Sequence, residues 1–94
     1  MPEQLYNIVY SNEFKRSYKL CKKRGLKIEL LDRAIKILAE TGTLPANYRP
    51  HKLSGNYSGY WECHIQSDWL LIWQIFENEL VLILSGTGTH ADLF

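Results

Sequence analysis

An α+β fold, with a helical hairpin packed on a mostly antiparallel sheet in the order β-α-α-β-β-β-β, is predicted by three features of this sequence. Residues 11–42 carry apolar side chains at helical spacing. Residues 60–85 are instead dominated by β-forming and leucine-rich runs broken by short turn signals. Helices come first and strands follow, without the alternation that builds a parallel sheet. A chain of 94 residues is expected to form one domain, 1–94, with a single core.

The first strand is expected over Leu5–Tyr10, a run rich in β-formers. Ser11 then offers an N-cap, and Glu13 suits the positive end of a helix. Phe14, Tyr18 and Cys21 recur at i, i+4 and i+7 as its buried stripe. Lys22, Lys23 and Arg24 favour the C-terminal end, and Gly25 is a natural stop. A second helix places Ile28, Leu31, Ile35 and Leu38 on one face and ends near Gly42. So short a connection predicts an antiparallel helical hairpin covering one face of the sheet.

Residues 44–48 are a connector, and Arg49–Leu53 is a short extended piece that Pro50 confines to an edge or a strand start. Gly55–Gly59 makes the next turn. Residues 60–66 and 69–76 form a hairpin about Gln66-Ser67-Asp68. In the first run Trp61, Cys63 and Ile65 share one face, while Tyr60, Glu62, His64 and Gln66 share the other. The second run is apolar on both faces and is expected to be the central strand. Asn78 marks a further turn before a last strand over 80–85, followed by Gly86–His90 and a short apolar tail to Phe94.

A hydrophobic content of 46% excludes a disordered chain. No apolar run approaches the length of a membrane span and the start lacks a signal pattern, so a cytoplasmic protein with no membrane partner is expected. Cys21 and Cys63 lie on apolar faces and are expected to be buried, reduced thiols. The net charge of +1 is unevenly spread. All 11 Lys and Arg lie at or before Lys52, whereas Glu62, Asp68, Glu77, Glu79 and Asp92 follow it. A basic half joined to an acidic, histidine-bearing half suits a polyanion docked by one part and processed by the other. The competing interpretation of Lys15–Lys27 is a solvated helix face.

His51, His64 and His90 occupy neighbouring strand segments, with Asp68 at the hairpin turn. Imidazole titrates near neutrality, so a histidine pair supplies both a general base and a general acid. RNA cleavage needs such a pair: one group takes the 2′-OH proton and another protonates the departing 5′-oxygen. The nucleophile is internal to the substrate, so neither a metal nor a cofactor is required. Asp68 is placed to orient an imidazole, and Trp69, Tyr60 or Phe94 to stack an unpaired base. Trp61 and Trp73 belong to the core by their faces. Three histidines and a carboxylate also suit an open zinc site, but no H-x-x-x-H or C-x-x-C spacing accompanies them.

Three segments sharpen this reading: Pro50-His51-Lys52-Leu53-Ser54-Gly55, then Glu62–Ile65 with Asp68–Trp73, then Thr87-Gly88-Thr89-His90-Ala91-Asp92-Leu93-Phe94. In this order they resemble the YafQ-like branch of the RelE/ParE toxin superfamily over essentially the whole chain. The resemblance implies a type II toxin–antitoxin toxin that cleaves mRNA on the ribosome, with His51, His64, Asp68, Trp69, His90 and Phe94 as its catalytic and mRNA-contacting set. It also implies a small, DNA-binding antitoxin that folds on binding and carries the complex to operator DNA. Relatives often have Arg before the Thr-Gly-Thr/Ser-His motif, where this chain has Gly86.

The expected roles are His51 as base, His90 as leaving-group acid, His64 on the phosphate and Asp68 as orienter or proton partner, with permutation of these roles left open. Trp69, Phe94 and Lys52 would hold the substrate. Lys15, Lys19, Lys22 and Lys23 would dock rRNA electrostatically. The competing class is a non-enzymatic module of the same fold, either gyrase-inhibitor-like or zinc-binding.

Overall fold

The computed structural model describes residues 4–94. Its elements run β1 (Asn7–Tyr10), α1 (Asn12–Lys23), α2 (Ile28–Thr41), β2 (His51–Lys52), β3 (Trp61–Gln66), β4 (Trp69–Phe76), β5 (Val81–Gly88) and α3 (His90–Leu93), with single helical turns at Ala46–Tyr48, Gly55–Tyr57 and Glu77–Glu79. The sheet order is β1-β5-β4-β3-β2, which makes β4 the central strand, as its two-sided hydrophobicity predicts. Among the described residues only β1 pairs in parallel, with β5, and the other ladders are antiparallel.

Ser11 caps α1, its hydroxyl accepting from the Phe14 N–H at 3.0 Å. Gly42 ends α2 at φ 77°, a left-handed geometry in which a Cβ would strike the Tyr6 ring. Phe14, Cys21, Leu31 and Leu38 from these helices pack against Cys63, Leu71, Trp73, Leu82 and Leu84 to form the core. α1 also closes a sheet edge. β1 stops opposite Leu84, and beyond that point the Ser11 hydroxyl donates to the Ser85 carbonyl at 3.4 Å. The Thr87 N–H donates to the Ser17 hydroxyl at 3.2 Å. These bonds occupy strand groups that an open edge would leave exposed. The helices are not sealed together along their length: Tyr18 reaches Asp32 at 2.8 Å, and a cleft of about 910 Å³ lies between them.

Three boundaries differ from the sequence expectation. β1 begins at Asn7 rather than Leu5. β5 continues to Gly88 rather than ending at Ser85, because a bulge between the Ile72 and Trp73 pairings absorbs one residue and lets pairing resume at Gly86. The apolar tail, given no element in the sequence reading, is helical over His90–Leu93. Thr89 and Asp92 form a reciprocal capping box that satisfies the first amides of α3. Both cysteines are buried and free, and burial pushes the Cys63 thiol up to about 12. Among the described residues no helix is long and apolar enough to cross a membrane.

Candidate active site

The pleat sorts the site. On β3, Cys63 faces the helices, so its neighbours Glu62 and His64 face the opposite side. His51 is registered opposite Glu62 on β2 and therefore shares that side. His64 lies two residues further on, roughly 7 Å along the strand. α3 crosses the same side from β5: Leu93 sits over Gly86, its Cδ2 3.1 Å from where a Cβ would stand. This brings His90 beside His64, with ring centroids 6.3 Å apart.

Each outer histidine is anchored at one nitrogen. The His51 Nδ1 lies 3.1 Å from the Arg49 carbonyl, and Arg49 takes a left-handed φ of 51° just before Pro50. A carbonyl only accepts, so Nδ1 carries a hydrogen. The other ring nitrogen, Nε2, faces a second acceptor, Glu62 Oε1, at 3.3 Å. The His90 Nδ1 lies 3.2 Å from Asp68 Oδ1, which also takes the His90 backbone N–H at 3.4 Å. A carboxylate holds the hydrogen on this Nδ1, leaving Nε2 for exchange. Asp68 therefore joins the β3–β4 turn to the first residue of α3.

A second clasp holds α3. Arg24, the C-cap of α1, donates to both oxygens of Asp92 at 2.7 and 3.3 Å. The guanidinium, together with the Thr89 N–H, holds the Asp92 carboxyl at about 2, below its ordinary 3.8. Phe94 ends the helix with its ring 6.2 Å from His90 and 4.7 Å from Tyr57.

The structure thus gathers His64, Asp68, His90 and Phe94, with His51 beside them on the same face of the sheet. Two expected substrate residues are not among them. Trp69 is 3% exposed and belongs to the core; its indole N–H donates to Thr87 Oγ1 at 2.9 Å, and the Thr87 hydroxyl donates to the Leu70 carbonyl at 2.7 Å. No ring face remains for a base, because alternation along β4 puts Trp69 on the same core-facing side as Leu71 and Trp73. Lys52 pairs with Trp61 rather than Glu62, so alternation sends it to the other side of the sheet, with Nζ 5.7 Å from the Trp61 ring. Lys15, Lys19, Lys22 and Lys23 are exposed on α1.

Two contributors went unrecognised in the sequence, and a third was given no role. Alternation places Glu62 on the face of His64, and the structure shows its carboxylate to be only 5% exposed and set against His51. Asp92 was legible through the Thr-x-x-Asp capping pattern at Thr89. Its partner Arg24, 68 residues away, left no local trace. Among the described residues no three His, Cys, Asp or Glu side chains gather as a metal site would require.

Residues 6–94 match the family model described as the bacterial toxin of the type II toxin–antitoxin system, YafQ. The chain is 36% identical over 89 residues to the mRNA interferase toxin YafQ of Escherichia coli strain K12, covering 94% of this chain and 95% of that one. The crystal structure of a YafQ mutant from E. coli is similar at a TM-score of 0.87 and 33% identity, covering 95% of this chain and 98% of that one. The toxin in the crystal structure of the E. coli DinJ–YafQ toxin–antitoxin complex is similar at a TM-score of 0.86 and 34% identity, over 96% and 98% of the two chains.

Proposed function

Because the chain belongs to the YafQ family of bacterial toxins from type II toxin–antitoxin systems, we propose that it is an mRNA interferase whose histidine face cuts ribosome-bound mRNA without a metal. The observation that carries the mechanism is the pair of imidazoles anchored at Nδ1, His51 by a carbonyl and His90 by a carboxylate. His90 presents a free Nε2, whereas the His51 Nε2 is shared with Glu62. His51 passes that Nε2 proton to the Glu62 carboxylate and takes the 2′-OH proton in its place. The freed 2′-oxygen attacks phosphorus, and the bond to the 5′-oxygen breaks. His90, held by Asp68, delivers a proton to that leaving oxygen. His64 meets the non-bridging phosphate oxygens. The products are a 2′,3′-cyclic phosphate, or a 3′-phosphate after hydrolysis, and a 5′-hydroxyl.

The exposed lysines of α1 suit docking to rRNA, which sets the site of action in the cytoplasm. The partner is an antitoxin, as in the DinJ–YafQ complex, and operator DNA is reached only through it. The test is induced expression with and without a neighbouring antitoxin gene, with mRNA 5′ ends mapped. His51→Ala and His90→Ala each abolish growth arrest while the protein stays folded, since an acid or base contributes about 10² to 10⁴ in rate. Cleavage persists in EDTA. Variants as toxic as the wild type, or cleavage lost on chelation and restored by zinc, overturn the mechanism.

A further inference from the structure

With Trp69 buried, the nucleotide needs another ring to lie against. Two large aromatics beside the histidine cluster are open to solvent: Tyr57 is 39% and Phe94 49% exposed. Their centroids are 4.7 Å apart at an interplanar angle of 80°. A perpendicular pair forms a corner with one ring as floor and the other as wall, which is the shape a planar base fills. Phe94 in turn lies 6.2 Å from His90, so a base in that corner belongs to a nucleotide next to the transferred proton.

The corner is not isolated. Tyr57 is also one lip of a groove of about 740 Å³ between α1 and the sheet, within the range of ~300–1,000 Å³ usual for small-ligand sites. Asn56 and Gln74 line it and offer carboxamides that both donate and accept, as the edges of a base require. Arg16 stands at its side with its side chain 75% exposed and only a 4.0 Å contact to Glu13, so its guanidinium is available to a phosphate. Stacking rings, carboxamides and a guanidinium together suit a single-stranded nucleotide better than an apolar protein helix.

The geometry points to Tyr57, paired with Phe94, as the stacking site for one unpaired base flanking the scissile phosphate, with the groove toward Arg16 holding the rest of that nucleotide. This assignment rests on the mRNA interferase reading. It also gives Tyr57 a role distinct from bracing α3. Bracing needs only volume, which leucine supplies, whereas stacking needs a flat ring, which phenylalanine supplies.

The experiment places 2-aminopurine in turn at each position of the codon in 2′-O-methyl mRNA bound to programmed ribosomes. Cleavage of the matching 2′-hydroxyl mRNA is followed in parallel. The wild-type protein quenches the probe at one position. Tyr57→Leu loses that quench and raises KM on the order of 10- to 100-fold, with kcat and its pH profile little changed. Tyr57→Phe restores both quench and KM. Quenching by Tyr57→Leu equal to wild type overturns the stacking site, as does a wild-type protein that cleaves without quenching at any position. Loss of kcat in Tyr57→Leu with KM unchanged shows bracing and also overturns it. A wild-type protein that cleaves no ribosome-bound mRNA overturns the interferase reading instead.

Discussion

Trp69→Phe separates a core role from a substrate role most sharply. The substitution removes three heavy atoms from a side chain 3% exposed and deletes the indole bond to Thr87. At ~0.8 kcal/mol for each buried methylene equivalent, the lost burial costs about 2 kcal/mol. The hydrogen bond adds about 1 kcal/mol. No donor is orphaned, because the Thr87 hydroxyl still gives its hydrogen to the Leu70 carbonyl. The expected loss is therefore roughly 2 to 3 kcal/mol, which lowers the melting midpoint by roughly 10 to 20 °C in a domain of this size. Thermal unfolding is compared in a His90→Ala background, where the protein accumulates without toxicity and the Trp69–Thr87 bond is intact. Single-turnover cleavage by Trp69→Phe with His90 intact, well below its midpoint, stays within about twofold of wild type. An unchanged midpoint with slower cleavage refutes the core assignment and returns Trp69 to the substrate.

Asp92→Asn breaks the bidentate bond to Arg24 and half of the capping box, so kcat is expected to fall about tenfold while the fold persists. The Asp92 carboxyl is depressed to about 2 from 3.8, so its stabilising contribution is present above its ordinary range and is lost as pH falls through about 2. The clasp thus stays closed at neutral pH, and Asp92→Asn lowers the rate without reshaping the neutral pH profile; a reshaped profile counts against a positioning role. Replacing Lys19, Lys22 and Lys23 by Gln weakens ribosome association and flattens its salt dependence, leaving the cleavage pattern unchanged; unaltered affinity across a salt titration makes this stripe a solvated face. Gly86→Arg is expected to hold cleavage at alkaline pH, where an imidazolium gives up its charge and a guanidinium does not. Gly86→Ala isolates the cost of pressing on Leu93, and slower cleavage by Gly86→Arg than by Gly86→Ala at every pH refutes the charge argument.

Much of this architecture was legible because it is written in local chemistry. Ser11 caps α1 as its side chain and position require, and the alternation of β3 puts Glu62 and His64 on one face. What failed was not carrying that alternation through to single side chains. Trp69 stands two and four residues before Leu71 and Trp73, so the period of two already puts it on their core-facing side. Lys52 was misplaced for the same reason. It stands next to His51 in sequence, and in a strand adjacent residues point apart. Proximity along the chain was read as proximity in space, where the pleat guarantees the reverse.

The tail shows how a local rule and a distant contact combine at the site. Thr89 and Asp92 alone specify a four-residue helix, too short to persist by its own hydrogen bonds. Arg24 supplies the missing constraint from the end of α1, Asp68 supplies another from the β3–β4 turn, and Leu93 rests where Gly86 has no side chain. Three parts of the molecule therefore converge on the segment that carries His90 and Phe94. Gly86 has a second effect here besides withholding a cation. A Cβ at that position would press on the tip of Leu93, which must give by a few tenths of an ångström, so the absent charge and the seating of α3 both bear on one missing side chain. A cation added there acts on the phosphate and on the position of His90 together, and for that reason the alanine variant must accompany the arginine.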